Sequence, residues 1–254
     1  MFEDQLQSLL DPLPTLSLEE MSAVKLMSRI DTKYLTNKDG LLRVLSLAQN
    51  DYYVQAIDGQ EIMNYLTVYL DTPSHYFYHE HLRGALPRTK LRMRTYLDSD
   101  GLTFFEIKRK NNRRKTKKRR ITIGSMETAA ETGAPEFLLQ ERGLVWEDYT
   151  PSLRNQFKRI TLVNRGMTER LTIDFDIQYH SFRTGLEAQS GPIVIIELKR
   201  GSLVGSPIRS ILTQLHIHPA GYSKYMMGSA MTDPSLRRDK RKFVYLSKTA
   251  ERVF

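Results

Sequence analysis

Charged and apolar side chains alternate with a period of two along several short segments of this chain. In the clearest of them, Lys90–Tyr96, the cations Lys90, Arg92 and Arg94 occupy every second position. Successive side chains of a β-strand point to opposite faces, so this period predicts a strand with one basic face and one apolar face. Alternate side chains lie roughly 6.5–7 Å apart. Cations at that spacing repel one another and favour an anion that carries several negative groups.

A simpler explanation is that each segment is the wet face of a half-exposed strand. Against it, the charged positions recur on one face in several segments. These segments are Arg29-x-Asp31-x-Lys33, Glu106-x-Lys108-x-Lys110, Arg170-x-x-x-Asp174-x-Asp176 and Glu197-x-Lys199. If the helices predicted between the strands cover the apolar faces from outside, the charged faces converge inside. A sheet closed on itself with a polar interior is a barrel that can admit a ligand.

The whole chain is therefore predicted to be an α+β protein, a barrel with a polar, basic interior and helices packed outside. Residues 1–28 form an N-terminal arm and a helix that begins with a capping box at Ser17. Residues 29–233 form the tunnel domain, and the basic residues 234–254 form a surface tail. A turn at residues 98–101 predicts a hairpin between Lys90–Tyr96 and Thr103–Lys110. Residues 125–160 are predicted to be helical.

The composition indicates what kind of partner the chain binds. Its 254 residues carry a formal net charge of +9, which predicts an anionic partner such as nucleic acid, a membrane surface or a phosphate-rich ligand. Cysteine is absent, which excludes disulfides and thiolate metal sites. The sequence has neither a signal-peptide pattern nor a run of about 18 apolar residues. We expect a cytoplasmic location and no transmembrane segment.

Basic residues are concentrated in Arg88–Arg120, which holds fourteen Lys or Arg and three acids. Within it, residues 111–118 are predicted to be a basic loop that precedes a strand. The tract from 113 to 120 fits either a solvated loop or a nonspecific nucleic-acid contact. Base-stacking platforms are not evident beside it, so no sequence-specific nucleic-acid partner is expected.

Strand cations that face a closed interior would clamp phosphates and stabilise the charge of a phosphoryl-transfer transition state. Carboxylates on the same walls are candidate ligands of a divalent cation, because hard cations prefer oxygen. Glu197 is the first candidate, since its strand is the most apolar. Glu106, Asp174 and Asp176 are the second candidates. Internal salt bridges with the neighbouring cations are the alternative role for each carboxylate.

Taken in order, short motifs of the chain resemble the VTC domain, the polyphosphate-polymerase domain of the vacuolar transporter chaperone complex and one of the triphosphate tunnel enzymes. The motifs are Arg-x-Asp-x-Lys-Tyr (29–34), Tyr-Leu-Asp-Thr (69–72), Lys-Leu-Arg-Met-Arg (90–94), Phe-Glu-Ile-Lys (105–108), Lys and Arg at 115–120, Phe-Lys-Arg (157–159), Arg-Leu-Thr-Ile-Asp (170–174), Glu-Leu-Lys (197–199) and Ser-Lys-Tyr (223–225). The set covers about residues 25–230.

The resemblance implies the triphosphate tunnel fold, an antiparallel β-barrel tunnel with helices packed outside. It also implies that the γ-phosphate of ATP is transferred onto polyphosphate in this tunnel with Mn²⁺ or Mg²⁺. The implied catalytic residues are Lys33, Arg92, Arg94, Lys108, Arg170 and Glu197. The implied substrate-binding residues are Lys90, Arg159, Lys199, Lys224 and either Lys117 or Lys118. Glu197 is the implied metal ligand, and Glu106 is the second candidate for that role. ATP and polyphosphate are the expected partners.

The sequence departs from the family in two ways. The hydrolase branch of the tunnel enzymes opens with Glu-x-Glu-x-Lys, whereas this chain has Arg29-x-Asp31-x-Lys33. One fewer carboxylate favours the polymerase-like branch over a two-metal triphosphatase. Eukaryotic members add a regulatory domain and membrane helices, which this sequence lacks, so it identifies no membrane-associated partner protein. A triphosphatase of the same fold and a non-catalytic polyanion binder stay open as alternatives.

Overall fold

One large sheet organises the computed structural model, which describes residues 1–22, 29–113, 115–201 and 205–254. The strands are β1 (Thr15–Leu16), β2 (Arg29–Asn37), β3 (Tyr52–Gln55), β4 (Ile62–Asp71), β5 (Arg88–Tyr96), β6 (Thr103–Lys110), β7 (Thr116–Ile123), β8 (Thr150–Asn164), β9 (Glu169–Ser181), β10 (Glu187–Gln189) and β11 (Ile193–Gly201). The helices are α1 (Phe2–Leu10), α2 (Leu18–Ser22), α3 (Lys38–Ala48), α4 (Tyr76–Leu82), α5 (Ala134–Arg142), α6 (Pro207–Gln214), α7 (Lys224–Thr232) and α8 (Lys240–Ala250), with a 3₁₀ turn at Trp146–Asp148.

The main strands follow the order β2-β11-β9-β8-β4-β5-β6-β7, and each neighbouring pair is antiparallel. Strands β3 and β10 add to β8 and β9, and β1 lies parallel to β3. The α+β class with an antiparallel sheet is thereby confirmed. The predicted closure into a barrel is not shown, because β2 and β7 are not paired with each other in the described parts of the chain.

Helices cover the apolar outer face of the sheet in two places. Ile173 and Ile196 belong to a buried cluster with Leu41 of α3 and Ile208 of α6. At the other end of the strand order, Phe105 packs in a second cluster with residues of α5, including the fully buried Leu138. Because side chains alternate along each strand, this packing turns Glu106 and Glu197, the neighbours of Phe105 and Ile196, to the opposite face.

That opposite, inner face is only partly polar, which corrects the expectation of a polar and basic interior with all helices outside. Helix α7 packs on β8 and β9, and its Met226 joins a buried apolar cluster with Leu153 and Tyr179. Gly228 permits the close approach, since a Cβ at this position would collide with Tyr179 and Leu153. Helix α7 therefore lies on the same face of the sheet as the charged side chains.

The prediction of helix throughout residues 125–160 was wrong for the second half of that range. Only α5 and the 3₁₀ turn are helical there, and residues 150–164 form the long strand β8. Its cations at 154, 158 and 159 lie at helical spacings, which imitated a basic helix face. Pro151 also favoured the helix prediction, because proline is common at the first position of a helix. In the structure it faces Leu70 at a shift in the β4–β8 register, where a missing N–H is tolerated.

The two ends of the chain are more ordered than the sequence indicated. The expected tail contains α8, and Asn37 of β2 donates from Nδ2 to the carbonyls of Ala250 (3.3 Å) and Arg252 (2.6 Å). At the other end, the predicted capping box is present between Ser17 and Glu20. The helix that it starts is described as far as Ser22, and the remainder of the predicted helix, 23–28, lies outside the described residues. No helix among the described residues is long and apolar enough to cross a membrane.

Candidate functional site

Most of the predicted site residues lie on the inner face of the sheet. Strand register explains this arrangement: Lys33 faces Glu197 across β2 and β11, and Lys90 faces Lys108 across β5 and β6. A cavity of about 1310 Å³ opens on this face. The cavity is lined by Lys33, Lys90, Lys108, Lys118 and Glu197 from the predicted set, together with residues such as His81, Lys110, Ser223 and Lys242. The lining is strongly basic.

Glu197 of β11 lies between two lysines. Lys33 contacts one carboxylate oxygen, and Lys199 lies 3.1 Å from the other. Burial alone would raise the pKa of Glu197, but Lys199, Lys33 and Lys108 outweigh burial and hold the pKa far below its usual range. The carboxylate is therefore ionised at every physiological pH and anchors the lysines around it.

Glu106 of β6 forms the second group of charges, and its side chain is fully buried. Arg92 donates to it from Nε at 2.6 Å, and Lys118 of β7 also contacts it. Burial would raise the pKa of Glu106, but Arg92, Arg94 and Lys118 together lower it to about 2. Lys118 therefore belongs to a strand and to the site, although the sequence placed it in a loop.

Asp174 of β9 holds the third group. Arg159 of β8 binds both of its oxygens, at 2.5 and 2.8 Å, and Lys224 at the start of α7 contacts the same carboxylate. Burial opposes ionisation, yet Arg159 and Lys224 hold the pKa of Asp174 well below its ordinary value. One carboxylate thus positions two cations that come from distant parts of the sequence.

Aromatic rings also contact cations of the inner face. Tyr65 and Phe157 stack with centroids 5.3 Å apart. The guanidinium of Arg94 lies 5.5 Å from the ring of Tyr65, and the ammonium of Lys224 lies 4.0 Å from that of Phe157. Arg94 also donates from Nε to Thr67 at 3.3 Å. Ring faces attract cations, so this pair concentrates positive charge without neutralising it.

Several lysines of the inner face have a lowered pKa because they are buried. Burial lowers the pKa of four of them to about 8, with nearby cations such as Arg92 and Arg159 acting in the same direction. The four are Lys108, Lys118, Lys199 and Lys224. The pKa of Lys90 also falls well below its ordinary value because of burial and then Lys108 and Arg88, while its ammonium donates to Ser223 at 3.0 Å. Among the described residues that line the cavity, basic side chains far outnumber the carboxylates of Asp31 and Glu197, so the lining carries excess positive charge.

Three predicted residues lie away from this arrangement or at its edge. Lys117 is exposed and, one residue from Lys118 on β7, points to the opposite face. Arg170 lies directly opposite Lys199 in the register of β9 and β11, so it shares the inner face. Like Lys199 itself, it lies outside the cavity lining. Asp176 does not share a face with Asp174, because it adopts φ +51° at a bulge and pairs with Lys38 at 2.7 Å.

Sequence reasoning missed several residues that shape the site. Phe157 belongs to the motif Phe-Lys-Arg, but this segment was predicted to be a helix, in which Phe157 and Arg159 would not share a face. In the strand they do share one. Tyr65 stood in a strand recognised as aromatic, and its position opposite Phe157 depends on the β4–β8 register. Ser223 was quoted in the motif Ser-Lys-Tyr without a role. In the structure, Ser223 accepts from Lys90 and from the backbone of Met226, as the cap of α7.

The carboxylates do not form a metal site by themselves. Among the described residues, no group of three or more acidic or histidine side chains is arranged to hold a metal ion. Glu197 and Glu106 are each bound by their own cations. Mg²⁺ is commonly bound by one or two carboxylates and completed by substrate phosphates. The donor set therefore fits a divalent metal only together with phosphate oxygens.

Comparisons with known proteins identify the family. The VTC domain model matches residues 28–232, and the chain belongs to the VTC domain family. A search of curated proteins found no match. The predicted family resemblance is therefore confirmed at the level of the family model.

Two solved structures are similar to this chain. One is a putative adenylate cyclase from Bacillus halodurans, at 14% identity and a TM-score of 0.51, with 79% of this chain and 98% of that chain covered. The other is a putative adenylyl cyclase from Hippeastrum with a dominant triphosphatase activity, at 13% identity and a TM-score of 0.48, with 81% and 97% covered. The first likeness shows a shared fold.

Proposed function

We propose that this protein is a phosphotransferase that extends polyphosphate with the γ-phosphate of ATP. The observation that carries the proposal is the excess of basic side chains on the inner face, where Glu106, Asp174 and Glu197 each bind cations. A cavity with a basic lining opens on the same face. An anion with many phosphates fits such a surface, because successive phosphates meet successive cations. Membership of the VTC domain family supports the same substrate class.

The reaction needs no protein nucleophile. An oxygen of the terminal phosphate of the chain attacks the γ-phosphorus of ATP in line, a new P–O bond forms, and the bond to the β-phosphate oxygen breaks to release ADP. Positioning and charge neutralisation supply most of the catalysis in phosphoryl transfer. Arg92, Arg94 and Lys108 are the proposed groups for neutralising the transferred phosphoryl group. Lys90, Lys118, Arg159, Lys199 and Lys224 are the proposed groups for binding the rest of the two substrates.

Glu197 is the proposed protein ligand of Mn²⁺ or Mg²⁺. The metal would add positive charge at the phosphate oxygens. Lys33 contacts Glu197 and is the proposed group that keeps the carboxylate oriented toward the cavity that both residues line. Glu106 is a weaker candidate, because its fully buried carboxylate is already bound by Arg92 and Lys118.

Incubation of the purified protein with ATP and Mn²⁺ tests the proposal, with chain length followed by gel electrophoresis. The expected product is polyphosphate longer than triphosphate, together with ADP. Glu197→Gln is expected to reduce turnover by at least about a hundredfold, as loss of a key electrostatic group does. Glu187→Gln is the matched control, since Glu187 is 72% exposed and far less constrained. Steady release of free phosphate without polyphosphate chains would show that the protein hydrolyses ATP and does not polymerise phosphate. Binding without turnover would leave only a polyanion binder.

A further inference from the structure

One histidine lies among the cations of the cavity. His81, in the last turn of α4, lines the cavity together with Lys90 of β5, Lys110 of β6 and Lys242 of α8. Its Nδ1 atom is buried and has no hydrogen-bond partner among the described residues. A buried polar atom without a partner costs free energy, so the ring is not fully satisfied in the unliganded protein. A ligand in the cavity would contact the part of the His81 side chain that lines it.

The charges around His81 explain its state in the unliganded protein. Burial, and then Lys90, Arg88, Lys242 and Lys110, lower the pKa of the imidazole to about 2. Of the acidic groups, Glu80 of the same helix pairs with Arg83 at 2.6 Å, and Asp71, the last residue of β4, accepts from the backbone N–H groups of residues 77 and 78. Asp31 and Glu197 line the same cavity. Glu197 is bound by Lys33 and Lys199. On α7, Lys224 is bound to Asp174.

We propose that His81 is a further phosphate-binding residue, an imidazole that takes up a proton as the polyphosphate anion enters the cavity and then donates hydrogen bonds to it. The proposal rests on the proposed function, since it assigns a ligand of the same chemistry to the same cavity. A polyanion beside His81 offsets the repulsion by Lys90, Arg88, Lys242 and Lys110, which adds to burial in keeping the ring neutral. Both ring nitrogens of an imidazolium are donors, so protonation gives a phosphate in the cavity a charged donor.

This mechanism couples substrate binding to pH. The four lysines with a pKa of about 8 are already protonated at pH 6, so they take up few protons there when the anion binds. Proton uptake that is specific to His81 is thus best measured at this pH. Any proton that the ligand itself releases cancels when variants are compared with the same ligand.

The test is calorimetric titration of the full chain with tripolyphosphate at pH 6 in two buffers of different ionisation enthalpy. The wild type is expected to take up more protons than His81→Gln, by a large fraction of one per site, and to bind about tenfold more tightly, as one charge-assisted hydrogen bond predicts. His218→Gln, at an exposed position outside the cavity lining, is the matched control and should behave as the wild type.

Equal proton uptake by the wild type and His81→Gln would overturn the role of His81 and leave the proposed function standing. No binding of tripolyphosphate by the wild type would overturn both. The NMR signals of the imidazole protons provide a second measurement, which is made on the wild type itself. The variant serves only to assign the His81 signal. That signal should move to its protonated position at pH 6 when tripolyphosphate is added, and an unchanged shift would contradict the proposal.

Discussion

Arg159 and Asp174 form a two-pronged ion pair between β8 and β9, with Nε–Oδ1 and Nη2–Oδ2 distances of 2.5 and 2.8 Å. Lys224 binds the same carboxylate, so one aspartate joins two strands to α7. Bidentate pairs of this kind are strong and geometrically specific. The pair is therefore a direct link between the stability of the fold and the arrangement of the site.

Replacing Asp174 with Asn should destabilise the protein strongly, because two buried cations lose their counter-charge. The expected loss is roughly 3–5 kcal/mol in the free energy of unfolding, measured by urea denaturation. Asp176→Asn is the matched control on the same strand. Its partner Lys38 is about a third exposed, so a loss below about 1 kcal/mol is expected. Equal losses in the free energy of unfolding for the two variants would show that the buried Arg159–Asp174 pair contributes no more to stability than the more exposed pair.

Glu106 should make stability depend on pH in the acid range. Its pKa is lowered to about 2 from an ordinary value of 4.5, so its contribution is present above pH 4.5 and is lost as the pH falls toward 2. Glu106→Gln should therefore be less stable than the wild type at pH 7, and the difference should shrink by pH 2.5. Denaturation midpoints at several pH values measure this difference. A difference that stayed constant with pH would contradict the assignment.

The buried lysines should make anion binding weaken in alkaline solution. Lysines whose pKa is about 8 without ligand regain protons when a polyanion binds, so affinity is complete below pH 8 and falls as the pH rises above it. The dissociation constant of tripolyphosphate should increase between pH 7 and 9.5. Lys108→Arg, which keeps its charge throughout this range, should show a shallower increase. An unchanged slope in Lys108→Arg would exclude Lys108 as a source of the effect.

Lys117 and Lys118 provide a comparison between the two faces of β7. Lys118 contacts Glu106 and lines the cavity, whereas its neighbour is exposed on the outer face. Lys118→Gln should weaken tripolyphosphate binding about tenfold, as loss of one charged hydrogen bond predicts. Lys117→Gln should change it less than about twofold, because an exposed charge is screened by salt. Binding measurements at about 0.15 M salt would decide between the two lysines.

Gly228 should be intolerant of even one added carbon. Its Cβ would collide with Tyr179 and Leu153, where α7 meets the sheet. Gly228→Ala should lower stability by about 1–3 kcal/mol, the usual cost of overpacking, despite the better helix propensity of alanine. Gly205→Ala is the control, because no atom of the described residues lies within 4 Å of its added Cβ. A thermal midpoint for Gly228→Ala at or above that of Gly205→Ala would disprove the tight contact.

The parts of the fold that local pattern determines were predictable. The β5–β6 hairpin follows from its turn and its alternation, and register then brings Arg92 opposite Glu106. Long-range partners and irregular backbone were not predictable. Phe157 was assigned to a helix, and the bulge at Asp176 breaks the alternation that the sequence seems to continue. The position of α7 on the inner face depends on a close approach at Gly228, for which the sequence carries no local signal.

Helix α7 contributes to both the charged site and the apolar core, and a helix moves as a rigid unit. Its first turn presents Lys224 to Asp174, and its following residues, among them Met226 and Ala230, fill the apolar cluster against β8 and β9. A rotation or slide of the helix would move both parts at once. A substitution of its buried methionines should therefore change ligand binding and thermal stability together, so neither property could evolve through this helix without the other.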